Sequence, residues 1–181
     1  MKTLKKLSII ALFIFLSSCQ SDPLEKYFVD ATENGDFFVT GIPTSFVQFD
    51  KDKLDAETLK QIASIKKVNI LLYQNNEDIK KKTSEYQKAK QAISQKHYKT
   101  LAKMNDAERQ LSFSYLGKAD KIDEIIFFGR DREYNFLISK IKGKNVELKN
   151  LIKAFKNIKN IDRDKAKPVL KMFEGFRIHQ D

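Results

Sequence analysis

One cysteine, Cys19, and two histidines, His97 and His179, are the only thiol and imidazoles in a chain of 181 residues. Neither histidine has a second ligand type four positions away, so the usual helical zinc arrangement is missing and no metal is expected. No G-x-S-x-G elbow is present to raise a serine nucleophile, and neither phosphate-cradling glycine pattern occurs, so no cofactor is expected either. Carboxylate pairs such as Asp123/Glu124 and Asp162/Asp164 are common, but neighbours on a strand point to opposite faces, so Asp123 and Glu124 cannot share a proton. No D-x-D-x-D-G calcium loop exists. Two groups of cations remain. Arg130 and Arg132, with Tyr134, stand in one short loop and could grip an anion; the plainer reading is a self-paired, solvated turn. Lys149, Lys153 and Lys156 share one side of the last helical pattern and could rest on anionic headgroups, or could simply keep that face soluble. The net charge of +10 is spread along the chain rather than gathered, and no nucleic-acid partner is expected.

The position of Cys19 gives it a different chemistry. "MKTLKK" carries three lysines and no acid, "LSIIALFIFL" is apolar at nine of ten positions, and "SSC" follows. A positive start, a short apolar run and small residues describe an export signal. The run is too short for a bilayer span of roughly 20 residues. Leu16-Ser17-Ser18-Cys19 resembles a bacterial lipobox, in which the thiol takes a diacylglyceryl group and the chain is cut before it. With no second cysteine there is no disulfide partner to explain the thiol otherwise. Two or three acyl chains give stable anchoring. Gln20, where lipoproteins retained at the inner membrane tend to carry Asp, favours the outer membrane; the leaflet stays open.

The elements that follow are read from pattern. Residues 20–36 read as a tether leading into a first short element. "FFVTGIPTSF" mixes β-formers with Gly41 and Pro43, so a strand there should be short or at an edge. "KLDAETLKQIASI" is a helix with Asp55 as N-cap, Leu54 and Leu59 as staple, and Ile62 and Ala63 continuing its buried stripe. "VNILLYQ" is a buried strand. "NEDIKKKTSEYQKAKQAISQK" is the longest helix, its apolar face formed by Ile79, Tyr86, Ala89 and Ile93. Four strands then follow: "YKTLAKM", "RQLSFSY", "IDEIIFFG" and "NFLISKI". The second alternates Leu111, Phe113 and Tyr115 with polar residues and should have one wet face. The third has Ile125, Ile126, Phe127 and Phe128 in succession, as in a central strand covered on both sides. "GRDREYN" fits a hairpin between the third and fourth. A last helix, "NVELKNLIKAFKNI", should bury Leu148, Leu151, Ile152 and Phe155. The segment 165–178 is apolar enough to dock on something. The fold expected is α+β, an antiparallel-rich sheet of about five strands with helices packed on one face. Its parts are a signal at 1–18, a lipidated tether at 19–36, the domain at 37–157 and a C-terminal extension at 158–181.

Taken in order, the lipobox before "LEKYF", then "GIPTSF", "ASIKKVNILLYQ", "HYKTLAKM" and "IDEIIFFGRDREYNFLISKIKG", resemble the small lipoproteins of Bacteroidetes grouped as domain-of-unknown-function family 4252. The resemblance covers roughly residues 19–156. It implies a lipid-anchored envelope protein with an α+β domain, held to the membrane by its N-terminal lipid and able to meet an envelope protein partner. It supplies no site residue beyond Cys19. With no catalytic constellation in view, a non-enzymatic binding or regulatory module is expected. A small-ligand binder or an enzyme using the open face of the sheet is the alternative, and a deep cleft with convergent polar groups would favour it.

Overall fold

Helix formation begins earlier than the composition of the first acidic stretch suggests. The computed structural model describes residues 22–161 apart from 66, 75–77 and 107–108. In it Asp22 caps helix α1 (Pro23–Thr32) by accepting a hydrogen bond from the Leu24 amide at 3.0 Å, and Pro23 takes the first helical position, where no amide is needed. Leu24, Phe28 and Ala31 recur at helical spacing and are buried. Residues 23–32 are therefore part of the domain rather than a tether. Cys19, the leader and the segment 165–178 lie outside the described residues.

After α1 come β1 (Phe37–Pro43), a 3-10 turn, β2 (Val47–Phe49), α2 (Ala56–Ser64) and β3 (Lys67–Tyr73). The long helix α3 (Ile79–Ser94) follows, then β4 (Lys99–Asn105), β5 (Gln110–Lys118), β6 (Lys121–Arg130) and β7 (Phe136–Val146), and finally α4 (Leu148–Lys156) and β8 (Ile158–Ile161). Six strands form one antiparallel sheet in the order β1-β3-β7-β6-β5-β4. This is the α+β, antiparallel architecture the pattern predicts, with one strand more than expected and a separate β2–β8 pair. β1, which holds Gly41 and Pro43, is indeed an edge strand, and β6 and β7 form the expected hairpin. The domain boundary expected at 157 falls against a strand, because Ile158–Ile161 pair with β2.

The core has two sides. Leu24, Phe28 and Ala31 of α1 and Tyr86, Ala89 and Ala92 of α3 pack with Leu71, Tyr73, Ile126, Phe128, Phe136 and Ile138. Leu151 of α4 packs instead with Ile122, Ile125 and Val146, next to Phe113 and Tyr115. Ile125 and Ile126 are sequence neighbours on β6 and so face opposite ways. Helices thus flank the sheet on both faces, not on one. Ser114 pairs with Ile126 and is buried on the α1–α3 face, so the serine side of β5 is not wet. Three helical stripes also turn out rotated or narrower. In α2 the buried residues are Thr58 and Gln61, while Ala63 is exposed. In α3 Lys82 and Ala92 are buried and Ile79 is exposed. In α4 Ile152 and Phe155 each stay 42 % exposed.

Gly117 sits at φ 106° beside a register shift in the β5–β6 ladder, and a Cβ there would meet the Lys121 carbonyl oxygen at 2.6 Å. Both the left-handed backbone and the backbone clash penalise a side chain. Gly117→Ala is expected to cost about 2 kcal/mol in urea unfolding, whereas Gly35→Ala, with open space around it, should cost less than about 1 kcal/mol.

Candidate functional site

The face of a sheet that lies under a helix is ordinarily apolar, and two adjacent rows of this sheet break that rule. Along the α1–α3 face the register runs Val39–Leu71–Ile138–Phe128, which is apolar. The next row is Gly41–Asn69–Lys140–Ile126. In the row after that Pro43 pairs with Lys67, and Lys142 pairs with Glu124. Lys67 lies one step beyond the Val68–Ile141 pair, beside Lys142. Like charges at neighbouring cross-strand positions are destabilising unless something negative stands over them.

Glu25, in the first turn of α1, supplies part of that negative charge. Its Oε2 accepts hydrogen bonds from both Lys140 and Lys142, the latter at 3.1 Å. Lys140 is only 1 % exposed, and its ammonium stands 4.9 Å from the centre of the Phe28 ring, a cation–π contact. The Lys140 hydrogen bond is the main reason that the Glu25 carboxyl sits below its ordinary pKa; burial opposes the shift, and Lys142 reinforces it. Around these groups is an open cleft of about 430 Å³ between α1, β1, β3 and β7. Lys67, Lys140, Lys142 and Asn69 line its polar end, and Phe28, Val29, Val39 and the threonines Thr32 and Thr40 line the rest. Gly41 leaves room for Lys67, whose Cδ would lie 3.2 Å from a Cβ at that position.

A second ionic cluster adjoins the cleft. Lys96, just past the end of α3, reaches the Asp22 carboxylate at 2.6 Å and the Glu124 carboxylate at 2.7 Å. Burial pushes the Asp22 carboxyl up, but the bonds from Lys96 and from the Glu25 and Leu24 amides outweigh it and hold the pKa low. Lys96 is likewise pushed down by burial and raised more by its two carboxylate partners. Burial, then the nearby Glu124 charge, pushes the Tyr98 hydroxyl well above the usual phenol range. This cluster pins the start of α1, and so the wall that carries Glu25.

The cations singled out from sequence lie elsewhere. Arg130 and Arg132 are in the β6–β7 hairpin. Arg130 stacks 4.7 Å from the Tyr134 ring centre and 5.7 Å from that of Tyr86, and donates to the Asp131 carbonyl. Asp131 in turn binds the amide and side chain of Asn135. The loop is tied both to itself and to α3, where Lys82 pairs with Glu133. Lys149 pairs with Glu147 at 2.8 Å and Lys153 with Asp55 at 2.6 Å, while Lys156 lies exposed at the end of α4. None of these five lines the cleft. His97 is exposed between α3 and β4. The signal that would have found Lys140 is its parity with Phe136 and Ile138 on β7, which makes it an inward lysine.

Among the described residues no group of histidine, cysteine and carboxylate side chains is placed to hold a metal, and no helix is long and apolar enough to cross a membrane. Comparison with curated proteins and with solved structures finds no match. Residues 27–154 match the family model described as Domain of unknown function (DUF4252), a span that holds every element lining the cleft except the first turn of α1, and the chain belongs to that family.

Proposed function

We propose that this chain is a lipid-anchored protein of the cell envelope, held by acyl chains on Cys19, whose domain binds an anionic ligand without transforming it. The leader, the lipobox-like Leu16-Ser17-Ser18-Cys19 and Gln20 support the anchor and favour the outer membrane. The observation that carries the binding role is Lys140, a lysine 1 % exposed at the polar end of an open cleft. A buried ammonium is costly without an anion beside it, and here the anion is one partly exposed glutamate. The cleft is lined by lysines, an asparagine, threonines and apolar side chains. These are groups that hold charge and shape, and they include no nucleophile paired with a base. The convergence of three lysines on one open cleft supports an anionic ligand for the binding role.

Cys19→Ala should move the protein from the membrane fraction to the soluble fraction when cells expressing it are lysed and centrifuged. An unchanged membrane fraction would show that something other than the thiol holds it.

A further inference from the structure

We infer that the cleft takes a single-chain amphiphile with an anionic head, and that Glu25 is the internal carboxylate which such a head displaces. The inference rests on the reading of the cleft as an anion site and adds the chemical class of its occupant.

Three observations converge. The first is the imbalance of charge. Lys67, Lys140 and Lys142 meet at one end of the cleft and, among the described residues, Glu25 is the only acid lining it. Among the described residues Lys67 has no ion-pair partner, and Lys140 has none other than Glu25. A ligand anion completes this arrangement, and its oxygens can accept from Lys140 and Lys142 as Glu25 does while leaving one for Lys67 or Asn69.

The second observation is that Glu25 can leave. Its side chain is 46 % exposed, whereas that of Lys140 is 1 % exposed. It sits in the first helical turn, and only its Oε2 engages the lysines. Swinging into water solvates its charge at little cost, while the lysine cannot follow. A carboxylate built like this occupies the seat of a ligand head and yields to one that brings additional contacts.

The third observation is the apolar surface beside the lysines. Glu25 lies at the lysine end; Phe28 and Val29 come one turn later and Thr32 one turn after that. Phe28 and Val29 thus lie about 5 Å along the helix axis from Glu25. Val29 is 58 % exposed, and Val39 faces the same space from β1. A cleft of about 430 Å³ is within the roughly 300–1,000 Å³ of small-molecule sites, and lysines beside Phe28, Val29 and Val39 suit an anionic head joined to a short hydrocarbon body.

The test uses the full-length chain with Cys19→Ala, so that no acyl chain of its own competes. The probes are hexyl phosphate and hexanoate, with inorganic phosphate, acetate and hexanol as controls, each titrated against the amide spectrum of the isotope-labelled protein. Both hexyl anions should bind at least about tenfold more tightly than phosphate and acetate, since two buried methylenes already give that factor, and more tightly than hexanol, which offers the lysines no charge. Glu25→Gln should tighten hexyl phosphate binding by about three- to tenfold, because the competent open cleft is then populated without competition. Lys140→Met should abolish it, and the solvent-side Lys67→Ala, which leaves the core untouched, should weaken it about threefold or more.

If phosphate and hexyl phosphate bind equally, and both weaken in Lys67→Ala, the anion site stands and the amphiphile is wrong. If hexanol binds as well as the hexyl anions, the charge is not used and the inference fails. Weaker binding in Glu25→Gln would make Glu25 part of the receptor and overturn its role as a stand-in. If no anion shifts any cleft resonance, both the inference and the proposed binding role fall.

Discussion

Lys96→Ala is expected to destabilise the domain by about 2–3 kcal/mol and to lower its melting temperature by about 10 °C. The lysine is the single cation between two carboxylates, and Glu124 is only 5 % exposed at its side chain. Removing the ammonium leaves a buried carboxylate without its ion pair, and truncating one member of a fully buried pair typically costs about 3–5 kcal/mol. The lower figure applies because Lys96 itself is 21 % exposed and water can take over part of its role. The acid limb of the stability curve should change as well. In the wild type the Asp22 carboxyl is held below its ordinary value of 3.8, so its contribution is complete above that pH and is lost as pH falls through the depressed value. Lys96, raised above its ordinary value, contributes fully below that value and loses its contribution as pH rises through the folded-state pKa. The variant should therefore lose less stability below about pH 4 than the wild type does. Thermal melts at several pH values read both effects. A variant as stable as the wild type, with an unchanged acid limb, would show that the cluster holds nothing.

Phe136→Ala should cost more, about 4 kcal/mol and about 15 °C. Phe136 opens β7 and is 0 % exposed. Its ring lies 5.0 Å from Tyr73, 6.0 Å from Phe128 and 6.3 Å from both Phe37 and Tyr86, centre to centre. These neighbours come from four different elements, so no single movement can close the cavity left behind. Phe136→Leu, which keeps most of the volume, should lose about half as much. Urea unfolding of the pair separates the volume term from the aromatic contacts; equal losses would mean the cavity collapses and the packing account is wrong.

Much of this sheet is legible in the chain. Four successive apolar residues mark β6 as covered on both faces, and Gly41 with Pro43 push β1 to the edge. Asp55 is the N-cap of α2, accepting from the Thr58 amide at 2.7 Å. What was not legible has a common cause. The face a helix covers is decided by crossovers: α3 leaves β3 and delivers the chain to β4 at the far edge, while α4 turns back onto the other side. A window of sequence cannot contain that information. The stripe of α4 looked fully buried because Ile152 and Phe155 are apolar, yet helix α4 meets the sheet through Leu151 and its neighbours. α1 was hidden by acids, although Leu24, Phe28 and Ala31 have the spacing of a buried face. The cleft was hidden most thoroughly. Lysines in a lysine-rich strand look like surface until the parity of β7 is known, and the parity matters only once α1 is placed above it.

The strand order carries a consequence for how this molecule comes into being. β4 to β7 are a sequential meander, and β1 and β3 pair with each other, but the two groups join only where β3 pairs with β7. The Glu25–Lys140 contact joins residues 115 positions apart. Closing so large a loop is slow, and the nearby hairpins form without it. The cleft exists only once those two groups have met. A chain cut short before β7 would lack Lys140 and Lys142, and with them any seat for a ligand.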